Sequence, residues 1–361
     1  MNKYLDSLND EVREYFSILS PEFPEWLLEY IDTKEMQRIS KISLSCGLDY
    51  SGCYNVEYWY SNLDHSVGVA LIIWNFTHDK KQTLAGLFHD IATPAFKHCI
   101  DFMNGDSETQ ESIEERTTDI IRNSREIMNL LNRDGIKLEE VNDYKLYPIA
   151  DNKTPKLSAD RFEYTFSSGL TFHRVWNLDN IRKMYNNIVI VKNEDGIDEL
   201  AFKDKEVCEE YIHIVSNLWP EWINSKDRTN MQFLADMCKS MNNKGYLTID
   251  DLYTLSENDI INLFLNCEDS YLKNAFINFQ NNTEVYESED YVDNKYCVNL
   301  YAKTRYINPL VLVDGNISRI SDVSMQANED INNYLKLPRG GIYTYLNFEF
   351  KPYEKEKVLV K

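Results

Sequence analysis

The sequence predicts a mainly α-helical protein with a small α+β region at its C-terminal end. Its 361 residues contain 12 glycines and 9 prolines, which is few for this length and favours long helices over turn-rich sandwiches or barrels. Apolar residues recur at helical spacing from residue 8 to about 187 and again over 205–280. After residue 295, β-branched and aromatic residues dominate instead.

Four segments before residue 190 support the helix prediction. In Glu25–Ile42 the apolar residues follow helical spacing, and a polar pair in the middle suits an N-cap that divides the stretch into two helices. Ser66–Phe76 is almost continuously apolar and predicts a helix buried on most sides. Lys81–Ile91 predicts a helix with one apolar face, and Ser107–Leu131 predicts one long polar helix with an apolar stripe.

The later segments predict β-structure and a domain boundary. In Ile188–Phe202, two β-rich pieces flank Asn193–Gly196, which is a hairpin signal. Further strand patterns occur at 295–313 and 340–350. The acidic stretch at 283–294 resembles a linker, so the sequence predicts a helical region over 1–290 and a C-terminal α+β subdomain over 291–361.

Charge and cysteine usage limit the function classes. A formal net charge of −21 disfavours binding to nucleic acid or anionic membranes, because both need positive potential. A small anionic ligand still fits if a metal ion and local basic side chains reverse the sign inside a pocket. The seven cysteines include no CxxC pair, which predicts reduced thiols and a cytoplasmic location. No apolar run approaches the ~20 residues of a membrane span, and the acidic N-terminal segment does not resemble a signal peptide.

Two His-Asp pairs occur in the chain and can be compared with each other. His78-Asp79 lies in a polar stretch between two apolar helices, which is typical of a helix-end turn. His89-Asp90 ends an apolar helix, and burying an imidazole beside an ionised carboxylate is costly unless a partner satisfies both. A divalent cation is one such partner.

His65 and Asp160 also lie at the edges of apolar helices. Together with His89 and Asp90 they offer two nitrogen and two oxygen ligands, a set that suits Mn²⁺, Fe²⁺, Co²⁺, Ni²⁺ or Zn²⁺. Such an ion lowers the pKa of a bound water and neutralises phosphate oxygens in a transition state. Spacing alone leaves this hypothesis and that of histidines satisfied within the core equally open.

The order of these residues resembles the H…HD…D signature of the HD superfamily. Its three parts are His65-Ser-Val-Gly-Val-Ala, Ala85-Gly-Leu-Phe-His89-Asp90 and Asp160-Arg161-Phe-Glu-Tyr164. More narrowly, the chain is similar to the branch that contains deoxynucleoside triphosphate triphosphohydrolases. That branch has a centre of the form His-Asp-Ile-Gly-His-x-Pro-Phe-x-His, which here is His89-Asp-Ile-Ala-Thr93-Pro-Ala-Phe-Lys-His98. The segments Thr33–Ile39 and Lys303–Pro309 are also similar to family segments. The resemblance covers about residues 28–170 plus the later segment, and it implies an HD-domain helical core at about 28–190.

The resemblance implies a metal-dependent phosphohydrolase. It assigns His65, His89, Asp90 and Asp160 as ligands of a divalent ion, with Mn, Fe, Co, Ni, Zn and Mg as the candidate metals. The substrate is expected to be a small phosphorylated molecule, a nucleotide or related metabolite. The family often forms homo-oligomers, so self-association is expected.

Further roles follow from the resemblance. His98 and Asp101 match a His and an Asp beside the family's site. Because they lie three positions apart on a predicted helix, Asp101 can orient the His98 imidazole, which would act as a general acid. Arg161 and Tyr164 match residues that contact the phosphate and the sugar. The aromatic run at 54–60, YNVEYWY, either packs in the core, contacts a second subunit, or covers a pocket mouth or a base.

The chain departs from the triphosphohydrolase pattern at four places, which involve five residues. Thr93 and Gln110 stand at substrate-facing positions where that branch has histidines, Asn62 replaces an arginine, and Ser167-Ser168 replaces Arg-Asp. Each change removes a charge or a proton carrier. These departures motivate an alternative hypothesis, in which the chain is a catalytically weakened nucleotide-binding or sensing module.

Overall fold

A computed structural model of the chain describes residues 3–108, 110 and 116–353, and it is mainly helical, as predicted. The α-helices within these residues are α1 (Lys3–Ser7), α2 (Asp10–Leu19), α3 (Leu27–Ile31), α4 (Lys34–Ile39), α5 (Asn62–Thr77), α6 (Lys80–Phe88), α7 (Cys99–Met103), α8 (Thr117–Asn123), α9 (Arg125–Arg133), α10 (Ala159–Thr171), α11 (Leu178–Asn186), α12 (Lys205–Leu218), α13 (Ser225–Asn243), α14 (Ile249–Thr254), α15 (Glu257–Leu265), α16 (Ser270–Asn281), α17 (Ile320–Val323) and α18 (Met325–Leu335).

Two small sheets accompany the helices. Their strands are β1 (Ile188–Lys192), β2 (Asp198–Phe202), β3 (Tyr286–Ser288), β4 (Tyr296–Asn299), β5 (Leu310–Val313), β6 (Asn316–Arg319) and β7 (Tyr343–Leu346). One sheet has the order β1-β2-β5-β6, with β2 and β5 parallel and the other pairs antiparallel. The other is antiparallel with the order β3-β7-β4. The predicted hairpin is confirmed, because Ile188 pairs with Phe202 and Lys192 with Asp198.

The apolar side chains form two cores. The first collects side chains from residues 4–223 and 307–334, and the second those from 231–279 together with β4 and β7. Residues 95–102 belong to the second core, although they follow α6 directly in the chain. This crossing brings His98 towards the helices of the first core, where the other predicted site residues lie.

The segments after residue 290 divide between these two cores. Strands β5 and β6 extend the hairpin sheet, and β5 packs on the first core, whereas β4 and β7 pack on the second. Described residues on both sides of position 290 therefore share both cores. The division of the chain into 1–290 and 291–361 stays a prediction.

Helix boundaries agree with the sequence in one place and differ in another. The predicted break within Glu25–Ile42 is confirmed, since α3 ends at Ile31 and α4 begins at Lys34. The single long helix predicted over 107–131 is wrong: α8 ends at Asn123, and the extended Ser124 accepts the Ile127 N–H as the N-cap of α9. A serine hydroxyl competes for backbone groups and therefore breaks a helix readily. Residues 109 and 111–115 of this stretch lie outside the described residues.

Helices α5 and α6 form the pair on which the site is built. A capping box between Ser61 and Asp64 fixes the start of α5. His78 ends α5 in the left-handed conformation and Asp79 caps α6, so the His78-Asp79 pair is a helix-end turn, as predicted. At Gly86 of α6 an added Cβ would lie 2.3 Å from the Ile73 side chain, so glycine permits the close approach of the two helices. Despite the apolar character of α5, no helix in the described part of the chain has the length and apolarity to cross a membrane.

Candidate metal centre

The four predicted ligands come from three helices and converge. His65 lies in α5 just after its capping box, and His89 is the C-terminal cap of α6 with Asp90 directly after it. Asp160 lies in the first turn of α10, whose start is fixed by the Ser158 hydroxyl. Helix ends and edges, rather than helix interiors, therefore present these side chains.

Three of the ligand atoms form a tight group. The Nε2 atom of His65 lies 3.2 Å from Nε2 of His89 and 3.3 Å from Oδ1 of Asp160, and His89 Nε2 lies 3.9 Å from the same carboxylate oxygen. Asp90 Oδ2 lies 3.9 Å from His65 Nε2 and 3.7 Å from His89 Nε2. Atoms that each lie about 2.1 Å from one ion are separated by roughly 3–4 Å. The donor set and its spacing fit a divalent cation.

A buried carboxylate holds His65 from behind. Glu163 is fully buried, and its oxygens accept hydrogen bonds from Tyr60 (2.7 Å), Tyr15 (3.3 Å) and the Nδ1 side of His65. This contact leaves Nε2 of His65 facing the other ligands. Burial alone would lower the pKa of His65, but the charge of Glu163, with Asp160, raises it to about 9. Gly68 makes room for this carboxylate, since a Cβ there would lie 2.7 Å from Oε1 of Glu163.

His89 is oriented by its own helix. Its Nδ1 atom lies 2.6 Å from the Gly86 carbonyl oxygen and donates to it, so that Nε2 is free to act as a ligand. The Tyr144 ring covers the imidazole at a centroid distance of 4.9 Å. Both histidines therefore have one nitrogen occupied by the protein and the other directed at the ligand group.

A lysine lies beside the fourth ligand. The Lys97 ammonium is almost fully buried, and it donates to Asn62 Oδ1 and, at 3.0 Å, to Asp90 Oδ2. Burial alone would raise the pKa of Asp90, but Lys97 and the two ligand histidines hold it well below its usual range. Phe96 and Lys97 both have positive φ angles, 64° and 45°, so an uncommon backbone conformation aims this side chain at the site.

His98 and Asp101 make the contact that their spacing predicts. Nδ1 of His98 lies 2.9 Å from Oδ2 of Asp101, which is fully buried. Nε2 of His98 is 3.5 Å from the Arg305 guanidinium. Burial lowers the pKa of His98, although Asp101 opposes this effect. The catalytic role of the pair stays a prediction.

All four ligands border one cavity of about 710 Å³. The face of α10 with Asp160, Tyr164, Ser168 and Thr171 forms one of its walls. Although the chain as a whole is strongly acidic, the wall also carries several basic side chains: Lys97, Lys145, Lys153, Arg161, Lys303 and Arg305.

The predicted substrate residues differ in their access to this cavity. Tyr164 and Gln110 line it, and the Gln110 side chain accepts a hydrogen bond of 2.6 Å from Arg305. Arg161 lines it too, but its guanidinium is occupied by Asn152, the Lys156 carbonyl and Asp151.

Thr93 is buried and is not part of the cavity wall formed by the described residues. Its carbonyl oxygen accepts from Arg38. The contribution of Thr93 to substrate binding stays a prediction.

Sequence reasoning missed three residues of the site. Glu163 follows Asp160 by three residues and so falls on the same side of α10, a spacing that could have indicated it. Lys97 lies inside the His89–His98 motif, where the left-handed backbone that directs it inwards leaves no signal in the sequence. Arg305 belongs to the Lys303–Pro309 segment that resembles the family, although no role was assigned to it.

Comparisons with known proteins were made by sequence and by structure. No protein-family model matches the chain. The chain is 21% identical over 292 residues to the uncharacterized protein YdhJ of Bacillus subtilis, and this match covers 80% of the chain and 86% of YdhJ. It is 24% identical over 149 residues to the metal-dependent phosphohydrolase cns2 of Cordyceps militaris, which covers 41% of the chain and 42% of cns2.

Two solved structures match most of the chain. A phosphohydrolase from Bacteroides thetaiotaomicron superposes with a TM-score of 0.62 at 13% identity, covering 91% of this chain and 97% of that one. A hypothetical protein from Aquifex aeolicus also gives a TM-score of 0.62, at 15% identity, covering 90% and 93%. These similarities confirm the predicted fold class, a mainly α structure with an HD-type core. None of these proteins carries a name that singles out the triphosphohydrolase branch.

Proposed function

We propose that the chain is a metal-dependent phosphohydrolase that cleaves a phosphate ester or anhydride of a nucleotide or related metabolite. The observation that carries this proposal is the convergence of His65, His89 and Asp160, whose ligand atoms all lie within 4.8 Å of one another. Asp90 completes the ligand set. The named relative cns2 and the phosphohydrolase from B. thetaiotaomicron support the same reaction class.

The environment of the ligands matches a phosphoryl substrate. When bound, a divalent ion supplies a water of lowered pKa and positive charge at the phosphate. The Lys97 ammonium and the Arg305 guanidinium lie on the same cavity wall and can bind phosphate oxygens. Because the rest of the chain is acidic, these fixed cations concentrate the anionic substrate at this position.

In this proposal, His98 moves a proton to or from the substrate. The Asp101 carboxylate binds its Nδ1–H, so Nε2 faces the cavity. The lowered pKa favours the neutral imidazole in the ligand-free protein. A phosphate anion bound nearby raises that pKa and thereby favours the imidazolium, which is the form that protonates a leaving oxygen.

The test is product release from a panel of nucleoside mono-, di- and triphosphates with added Mn²⁺. Wild type is compared with Asp90→Asn, which weakens a proposed ligand, and with Asp79→Asn, which alters the other His-Asp pair but keeps a residue that caps helices well. We expect turnover in wild type and Asp79→Asn and its loss in Asp90→Asn. Release of triphosphate would identify triphosphohydrolase activity, whereas equal turnover by all three proteins would contradict the proposal.

A binding-only function is the second candidate, and one observation favours it. Arg161, expected to grip phosphate, is engaged by Asp151 and Asn152 instead. A sensing module would retain metal and bind a nucleotide without releasing product. Turnover at the 1–10³ s⁻¹ of ordinary enzymes would exclude it.

A further inference from the structure

The cavity continues well beyond the metal centre. Its wall follows α10 from Asp160 through Tyr164 and Ser168 to Phe172, the residue that caps the helix. These positions recur every four residues and so lie along one face. At a rise of 1.5 Å per residue, Phe172 lies about 18 Å from Asp160 along the helix axis. A substrate bound at the metal can therefore extend towards a second, distant end of the cavity.

Aromatic side chains border the cavity beyond the metal centre, from Tyr164 to Phe172 along α10. The Tyr54 ring packs on Phe172 at a centroid distance of 5.3 Å, and Trp222 packs edge-on against Tyr164 at 5.4 Å. Phe172, Trp222 and Met231 border the cavity. A planar ligand finds stacking surfaces here.

An aspartate at the far end departs from a pattern seen elsewhere in the chain. The third residue of α5, of α14 and of α15 is an aspartate, and in each case (Asp64, Asp251, Asp259) its side chain turns back to cap the helix. Asp227 holds the same position in α13, but its Oδ1 accepts a hydrogen bond from the Tyr54 hydroxyl. Capping therefore does not account for the placement of this carboxylate.

The Asp227 carboxylate also lacks a full set of partners. It is 8% exposed and borders the cavity, and within the described residues no hydrogen bond reaches its Oδ2 atom. Because Asp227 borders the cavity, this oxygen is available to accept a hydrogen bond from a ligand. Burial raises the pKa of Asp227 to about 7, although the hydrogen bond from Tyr54 opposes the shift.

His173 adds a second polar group at the same end. Its ring borders the cavity beside Phe172, and the described residues give no hydrogen bond to its ring nitrogens. Burial, with Lys226, lowers the pKa of His173 to about 4, so the imidazole is neutral and offers one donor and one acceptor. The two groups together can bind a ligand with both N–H donors and ring acceptors.

We propose that Phe172, His173, Trp222 and Asp227 form a subsite for the nitrogen heterocycle of a nucleoside, with Asp227 accepting an N–H from the base. Tyr54 does not line the cavity and supports this subsite through its contacts with Phe172 and Asp227. The proposed metal ion with Lys97 and Arg305 attracts the phosphate, so the ligand is oriented with its phosphate at the basic, metal-binding end. This subsite depends on the proposed function only through that orientation. Asp227 is thus assigned as a residue that determines base specificity.

The test separates base binding from hydrolysis by using nucleosides without phosphate. Adenosine, guanosine, cytidine and uridine are titrated into the full-length protein by calorimetry, with intrinsic tryptophan fluorescence as a second signal. The variant is Asp227→Asn. The matched control is Asp236→Asn, because Asp236 is on the same helix and also accepts from a tyrosine hydroxyl, that of Tyr296 at 2.8 Å, but does not line this cavity.

We expect saturable binding that differs between the four bases, and a loss of roughly ten- to a hundredfold in affinity in Asp227→Asn for the preferred one. Asp236→Asn should bind like wild type. Absence of binding for all four nucleosides would overturn the proposal, as would equal affinities in wild type and Asp227→Asn. Because no step of this assay needs turnover, a protein that binds nucleosides but hydrolyses nothing would refute the proposed function and leave the subsite standing.

Discussion

Substitution of Glu163 by glutamine probes how the buried carboxylate controls metal binding. In wild type the pKa of His65 is raised to about 9, with Glu163 the largest of the contributions that raise it. A metal ion must displace the proton from His65 before it can bind Nε2. At pH 7, two pH units below that pKa, this competition lowers the apparent metal affinity about a hundredfold.

This competition sets the direction in which metal affinity changes with pH. Below pH 9 the protonated form of His65 dominates, so wild-type metal affinity should rise about tenfold per pH unit from pH 6.5 towards 9 and then level off. Glu163→Gln removes the charge that raises the pKa of His65, so the rise of metal affinity with pH should level off near neutral pH. The plateau should be lower by about 10- to 100-fold, because a partner that orients a ligand histidine contributes that much to affinity.

The assay is competition against a fluorescent chelator from pH 6 to 9.5. Glu257→Gln is the control, because Glu257 is also fully buried but accepts the Phe96 N–H and does not contact a proposed ligand. We expect the control to follow the wild-type curve. If the metal affinity of Glu163→Gln changes with pH as steeply as that of wild type, the coupling of His65 to this carboxylate is refuted.

Substitutions at three further positions test other parts of the site. Gly68→Ala places a Cβ 2.7 Å from Glu163 and should destabilise the fold by about 1–3 kcal/mol, measured by denaturant unfolding. Asp101→Asn should lower kcat by about 10- to 100-fold through misorientation of His98, which is less than the roughly 10²–10⁴-fold that a general acid contributes, while bound metal measured by mass spectrometry stays unchanged. Lys97→Ala should raise KM for the phosphorylated substrate, and Lys97→Arg should bring KM part of the way back to the wild-type value. If both variants have the wild-type KM, a contact between Lys97 and the phosphate is excluded.

The sequence predicted those features that depend on local pattern. The apolar runs and caps that define α5 and α6 are local, and so are the His89-Asp90 pair and the contact of His98 with Asp101. The hairpin at 188–202 follows from its turn residues. Each of these predictions compares residues within a few positions of one another, where backbone geometry fixes which side chains meet.

Two contacts between distant parts of the chain were not predicted, although the resemblance to the HD signature did predict that the four proposed metal ligands lie together. Lys97 reaches Asn62, 35 positions earlier in the chain, and Arg305 reaches His98 across 207 positions. Asn62 was interpreted as a lost charge, yet in the structure its side chain accepts a hydrogen bond from the Lys97 ammonium, which lies beside Asp90. The prediction of one long helix over 107–131 was wrong for a local reason. Ser124 caps a new helix at a point where the apolar stripe indicated that a single helix continues.

The central claim is tested most directly by measuring bound metal and turnover on the same samples. Metal-free full-length protein is titrated with Mn²⁺, and at each step bound metal and nucleotide hydrolysis are determined for wild type and for His89→Ala. The account predicts that hydrolysis by wild type rises in proportion to bound metal, and that His89→Ala loses both together. Hydrolysis that persists in a chelator without bound metal, or a fully loaded protein that releases no product from any nucleotide, would contradict it.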